Sequence, residues 1–319
     1  MNSIYVLTKL TCSQFNITKN STNVGEIYDS LEKLRPDKLS SNTIVQLVRY
    51  IESFANKNII SAQHYNSFGT GGDKIKTINI STIASIIASN FLNIYKVGTK
   101  AVTSIWGSSD FIKSLKSNLY QFPIAIRDKA FYQEGSGYFS LDELGYLYSN
   151  PLREARLMIY RESIPDIYKI IFPVSNLTNS SGQVNGVYCS NYIDRYIDVS
   201  IALERNSLIV HSTHEIDEIF AGRNLVIRIF NGRLVKSEVN LPEHYINDDY
   251  FEFMSESADI KNHISKFEKI LKGECSEDIS LTIAYNVACL LNLEYQDILL
   301  DELVDRVSTF MKSIPYVPV

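Results

Sequence analysis

The sequence predicts an α/β fold: a small N-terminal helical domain followed by a large α/β domain with a central, mostly parallel sheet. Three observations carry that prediction. The chain has 319 residues, more than one minimal core needs, and its 45% hydrophobic and 21% charged residues suit a buried core rather than a disordered chain. Near the N-terminus, apolar residues recur at helical spacing. Farther on, short apolar runs alternate with helical segments, the pattern of a sheet covered by helices. The division implied is residues 1–67 for the helical domain and 68–319 for the α/β domain.

Val24 to Leu34 repeats apolar residues every three or four positions, and Ser40-Ser41-Asn42 offers an N-cap for a second helix from Thr43 to Phe54. A turn is expected from Phe68 to Asp73, then a polar stretch, then a helical apolar run from Ile78 to Leu92. Ile94 to Val97 reads as a short strand, Ser109 to Lys116 as a helix and Tyr120 to Ile126 as another strand. Ser207 to His211 is an apolar run ending in polar residues, as a buried strand does when its carboxyl end delivers a site loop. Two alternating runs, Val226–Phe230 and Arg233–Val239, are joined by Asn231-Gly232 and spell a hairpin. From Asp259 onward two or three helices end near Ser313.

The formal net charge of −5 argues against a general binder of nucleic acid or anionic membrane, which needs a surplus of clustered Lys and Arg; a local basic groove remains open. Cys12, Cys189, Cys275 and Cys289 form no CxxC pair and read as thiols in a reducing compartment. No run approaches the ~20 apolar residues of a membrane span. Met1 to Leu10 lacks the apolar centre of a signal peptide, so a soluble, cytoplasmic protein is expected.

Gly69-Thr-Gly-Gly-Asp73 is the most informative segment. Closely spaced glycines admit positive φ and let backbone N–H groups approach an anion without a Cβ in the way. A purely structural tight turn would use the same residues, and neither a Walker loop nor a dinucleotide fingerprint is present. The downstream context adds weight. Asn79-Ile-Ser-Thr82 opens a helical run, where hydroxyls can cap the helix or hold phosphate oxygens. Lys96-Val-Gly-Thr-Lys-Ala-Val-Thr-Ser104 and Trp106-Gly-Ser-Ser-Asp110 then form a polar loop after a strand. Farther on stand Asn176-Leu-Thr-Asn179, Gln183-Val-Asn-Gly-Val-Tyr188, Leu208-Ile-Val-His211 and Ile216-Asp-Glu218.

In this order and spacing, the segments resemble the motifs of the anthranilate phosphoribosyltransferases over roughly Gly69 to Lys236. That family transfers phosphoribose from phosphoribosyl diphosphate (PRPP) to anthranilate in tryptophan biosynthesis. The resemblance implies that Gly69, Gly72, Asp73 and Thr77, with Asn79, Ser81 and Thr82, line the diphosphate and ribose. It implies that Lys96, Ser104 and Ser108 complete the PRPP cradle. Ser81 on one side, and Asp217 with Glu218 on the other, would serve Mg2+, since adjacent carboxylates suit a hard cation. A homodimer through the N-terminal helices is implied as well.

The acceptor side departs from the family. Its K-H-G-N reads Lys96-Val-Gly-Thr99, so Val97 and Thr99 replace a histidine and an asparagine. Its substrate arginine aligns with Tyr160, with Arg161 adjacent and Arg156 one turn away if the segment is helical. A small serine has become Trp106, and a His-Gly has become His211-Ser212. A carboxylate without a cationic partner loses charge-assisted hydrogen bonds of roughly 1.5–3 kcal/mol each. The expectation is therefore a PRPP-dependent transferase acting on an aromatic amine with Thr99, Tyr160 and Arg161 at the acceptor, the amine itself lacking a carboxylate. The alternative is a non-catalytic or regulatory homologue that binds a nucleotide, a nucleic acid or a protein partner.

Overall fold

The computed structural model describes residues 12–53, 63–99, 104–116, 137–141 and 150–313. A helical segment over residues 12–20 precedes two helices near the N-terminus, α1 (Val24–Lys33) and α2 (Ser41–Glu52). Asn23 caps α1 by accepting from the N–H groups of Gly25 and Glu26, and Ser40 caps α2 by accepting from Thr43 N at 3.2 Å. Each turns an aliphatic stripe inward, Ile27 and Leu31 from α1 and Ile44, Leu47, Val48 and Ile51 from α2.

The chain then enters a seven-stranded sheet of order β3-β2-β1-β4-β5-β6-β7. Its strands are β1 (Tyr65–Gly69), β2 (Ile94–Gly98), β3 (Gly137–Ser140), β4 (Gly182–Gly186), β5 (Ser207–Ser212), β6 (Gly222–Phe230) and β7 (Arg233–Leu241). The first five run parallel, and β6 and β7 add an antiparallel edge. Between the strands lie α3 (Ile80–Ala88), α4 (Ser108–Lys116), α5 (Asn150–Arg161), α6 (Tyr168–Val174) and α7 (Ile193–Ala202). Four helices follow the hairpin: α8 (Asp248–Met254), α9 (Ile260–Lys272), α10 (Glu277–Leu291) and α11 (Leu300–Ser313).

Strand alternation builds two cores, one on each face of the sheet. Leu208, Val210 and Val226 point into the cluster covered by α3, α9, α10 and α11. Ile209, Ile227 and Ile229 point into the other, which α1, α2, α5, α6 and α7 complete. The helices of the N-terminal region are tied to this second face by polar contacts too: Glu52 Oε1 accepts from Asn176 N at 2.7 Å and pairs with Arg205 at 2.6 Å.

Several sequence expectations shift. The turn placed at Phe68 is the end of strand β1, which starts at Tyr65 and so crosses the 67/68 division. Its central Asn66 and Ser67 are polar yet buried, with Asn66 Nδ2 donating to Thr178 Oγ1 at 2.9 Å. The apolar run Ile78–Leu92 is helical only from Ile80 to Ala88. The strand expected at Tyr120–Ile126 lies outside the described residues. Among those described, no helix is long and apolar enough to cross a membrane.

Candidate active site

The strand order reverses between β1 and β4: from β1 the chain steps outward to β2 and β3, then returns to β4 and steps the other way. Loops leaving the carboxyl ends of these strands diverge and open a crevice. Here that crevice is a cleft of about 720 Å³.

The glycine turn follows β1 directly. Gly71 and Gly72 hold φ of 58° and 91°, backbone that an L side chain rarely adopts. The turn is fastened to both neighbouring loops. Thr70 N donates to Gly186 O at 3.1 Å, Tyr188 N donates to Thr70 Oγ1 at 3.2 Å, and Gly71 N donates to Asp217 Oδ2 at 2.8 Å. A Cβ on Gly186 would collide with the carbonyl of Asp217, so glycine there lets the loop after β5 close over the end of β4.

That closure gathers acid. Asp217 N donates to Asp73 Oδ1 at 3.0 Å, and the carboxylate oxygens of Asp73, Asp217 and Glu218 come within 4.8 Å of one another. Glu218 Oε1 accepts from Ser81 N at 3.3 Å at the start of α3, while its buried Oε2 has no partner among the described residues. Burial, then the Asp217 charge, pushes the carboxyls of Asp73 and Glu218 well above the usual carboxylate range. Lys96, buried in the middle of β2, answers them: burial lowers its ammonium pKa, and the charges of Asp217 and Glu218 oppose that shift. Clustered carboxylates with an unsatisfied oxygen are the donor set of a hard divalent cation, and these three side chains fit one.

The other residues singled out in the sequence converge on the same cleft. Gly69, Thr77, Asn79, Ser81, Ser104 and Ser108 all line it. Thr82 does not line it; fully buried, it donates from Oγ1 to Ser108 Oγ at 3.2 Å and so fixes that hydroxyl from behind. Asn79 Nδ2 donates to Trp106 O at 3.4 Å. Trp106 lines the cleft and also anchors the polar loop, its N donating to Glu256 Oε1 at 2.7 Å and its Nε1 to Ser257 O at 3.0 Å.

Thr99, Tyr160 and Arg161 line the cleft as well, the latter two from the last turn of α5. This end is aromatic, with Tyr168, Phe172, Tyr188 and Tyr192 beside Tyr160. Arg156 does not reach out as a free cation, because it is paired with buried Asp166 at 2.8 Å. Lys169 is the residue that sequence reasoning missed. It projects from α6 with its Nζ 4.3 Å from the centre of the Tyr188 ring and 5.4 Å from that of Tyr160. Burial lowers its pKa to about 8. The available signal was a lone lysine inside the apolar run Tyr168-Lys-Ile-Ile-Phe-Pro-Val174.

A protein-family model, the glycosyl transferase family a/b domain, matches residues 62–313. The anthranilate phosphoribosyltransferase of Mannheimia succiniciproducens is 28% identical over 229 residues, covering 70% of this chain and 65% of that protein. The chain thus spans just under two thirds of the length of the curated relatives it matches. Among solved structures, the Saccharomyces cerevisiae anthranilate phosphoribosyltransferase in complex with PRPP and Mg aligns with a TM-score of 0.75 at 20% identity, covering 96% of this chain and 89% of that one. The Thermus thermophilus anthranilate phosphoribosyltransferase aligns with a TM-score of 0.68 at 19% identity, covering 94% of both chains. At such identities the alignments establish a shared fold.

Proposed function

The chain belongs to the glycosyl transferase family matched over residues 62–313, and from that premise we propose that it is a PRPP- and magnesium-dependent phosphoribosyltransferase acting on an aromatic amine. The observation that carries the reading is the convergence of the glycine turn, three carboxylates and buried Lys96 on one cleft where the strand order reverses.

In this reading the N–H groups of the glycine turn and the Lys96 ammonium hold the diphosphate of PRPP. The hydroxyls of Ser81, Ser104 and Ser108, with the side chains of Thr77 and Asn79, orient the phosphorylated ribose, while Thr82 keeps Ser108 in place. Asp73, Asp217 and Glu218 would hold Mg2+, which when bound would supply positive charge to the leaving diphosphate. The ribose C1–O bond breaks with its electron pair leaving on diphosphate, the amine nitrogen bonds to C1, and the amine proton passes to water. Fixed positive charge facing the leaving group, and enforced proximity of amine and C1, supply the acceleration. Thr99, Tyr160 and Arg161 form the acceptor end. The reading extends to a cytoplasmic homodimer joined through α1 and α2, which sedimentation at several concentrations tests.

The deciding experiment is diphosphate release from PRPP with magnesium against a panel of aromatic amines. Release that requires both magnesium and one of the amines is expected. Calorimetry showing no heat of binding for PRPP with magnesium would sink the proposal.

A further inference from the structure

Trp106 is a junction between the loops that wall the cleft, and each of its polar groups is engaged. Its N donates to Glu256 Oε1 at 2.7 Å and its indole Nε1 to Ser257 O at 3.0 Å. Its carbonyl accepts from Asn79 Nδ2 at 3.4 Å and from Ser104 Oγ at 3.3 Å. Asn79 stands at the N-terminus of α3, yet its side chain does not cap that helix. With the amide nitrogen committed to Trp106, Asn79 Oδ1 is left buried without a partner among the described residues, on a side chain that lines the cleft. A buried acceptor left unpaired is costly, and here it is complementary to a hydroxyl that arrives with a ligand.

Residues 254–257, between α8 and α9, also grip the segment that leaves the glycine turn. Ile78 N donates to Met254 O at 2.8 Å, Glu256 N donates to Lys76 O at 2.8 Å, and Thr77 bridges to Ser255 between them. From behind, α9 fixes this strap. Ser257 N donates to His263 Nε2 at 2.8 Å, Asn262 Nδ2 to Ser257 Oγ at 3.1 Å and Lys266 Nζ to Ser255 O at 2.9 Å. The strap therefore holds residues 76–78 by its backbone and the Trp106 loop by the Glu256 carboxylate and the Ser257 carbonyl. Lys76, Thr77, Ile78 and Trp106 line the cleft, and Glu256 does not. A carboxylate accepting a main-chain N–H makes a strong, charge-assisted bond. Cutting that side chain away leaves every backbone bond of the strap in place.

We infer that Glu256 is a positioning residue for the PRPP cradle: from outside the cleft it sets the Trp106 loop against the segment leaving the glycine turn, and through the Trp106 carbonyl it orients the Asn79 amide with its oxygen toward a ribose hydroxyl. PRPP enters here from the transferase reading above, whereas the placement of the loop by Glu256 does not depend on it.

Trp106 is the only tryptophan of the chain, so its emission reports on this loop directly. The test compares wild type, Glu256→Ala and Glu256→Gln in the full chain by ligand-free tryptophan emission, acrylamide quenching, melting temperature and calorimetry of PRPP with magnesium. In Glu256→Ala, Trp106 is expected to emit at longer wavelength and to be quenched more readily. PRPP affinity should fall about tenfold, because a bond to a charged group that keeps the loop in its binding-competent position is lost. Glu256→Gln, whose amide oxygen can still accept from Trp106 N, should restore the emission and most of the affinity. Glu256→Ser, too short to reach, carries the same comparison if the alanine variant does not fold. Wild-type emission or wild-type PRPP affinity in Glu256→Ala overturns the inference, and so does an equal loss in the glutamine variant. A lower melting temperature with emission and PRPP affinity retained assigns Glu256 to the fold alone and overturns it too. Wild type that binds no PRPP removes the transferase reading and the ribose contact with it, and the emission comparison then decides by itself whether Glu256 places the loop.

Discussion

Glu218 and Lys169 are buried ionisable groups lining one cleft, and the sequence disclosed them unequally. Asp217-Glu218 stood out because two adjacent carboxylates follow a strand-like run. The glycines from Gly69 to Gly72 stood out because few other residues tolerate that backbone. Lys169 did not, because nothing local distinguishes a snorkelling surface lysine from one whose ammonium is turned into a cavity; only the packing of α6 under Tyr188 and Tyr160 decides it. For the acidic group the energetics give a clear expectation. Burial first, and then repulsion from the Asp217 charge, hold the Glu218 carboxyl well above the usual range, so ionising the whole group is unfavourable. Replacing Asp217 with Asn and Glu218 with Gln together should therefore leave the metal-free melting temperature unchanged or higher. The magnesium concentration needed for half-maximal PRPP binding should rise about tenfold or more. A collapse in thermal stability with magnesium dependence intact would assign the pair to the fold and not to the ion.

Elements differed in legibility for local reasons. The hairpin of β6 and β7 was readable because Asn231 and Gly232 both adopt positive φ, 49° and 74°, which few other residue pairs accept. Strand β1 was not, since its Tyr-Asn-Ser-Phe-Gly sequence lacks apolar alternation and its buried Asn66 amide is satisfied by Thr178, more than a hundred residues away. The connection from α8 to α9 was equally silent, yet it anchors the polar loop through Trp106. Its keystone is His263 on α9, whose Nε2 accepts from Ser257 N at 2.8 Å. Burial, aided by Lys266, lowers the His263 pKa from 6.5 to about 4. The folded imidazole then stays neutral where the unfolded one takes up a proton, so between these values the unfolded state binds more protons. Stability from this group is fully present above its ordinary pKa and is lost as pH falls toward about 4. Followed by calorimetry over that range, the melting temperature of wild type should drop more than that of His263→Gln, whose amide oxygen can still accept from Ser257. Identical acid limbs in the two proteins would mean that the group responsible lies elsewhere.

The molecule as a whole tests whether the N-terminal helices are an appendage or part of the core. Sequence periodicity located α1 and α2 but could not say what they cover, because their partners come from α5, α6, α7 and the sheet, far along the chain. Ile27, Leu31 and Leu34, with Ile44, Leu47, Val48 and Ile51, are all at most 3% exposed. Burying such side chains contributes about 1.5–3 kcal/mol each, so together they rival the whole net stability of a typical domain, about 5–15 kcal/mol. Their removal would also uncover Leu152, Ile159, Tyr168 and Ile171 on the helices that frame the acceptor end. Glu52 would be lost from Arg205 and from the backbone N–H of Asn176. A fragment beginning at residue 63, although it keeps almost all of the family match, should therefore lack a cooperative urea transition by circular dichroism and should not bind PRPP with magnesium. A fragment that unfolds in one sharp transition and binds PRPP as the full chain does would establish the opposite. The helical region would then be an independent domain, and the shared apolar cluster a contact between two units that fold alone.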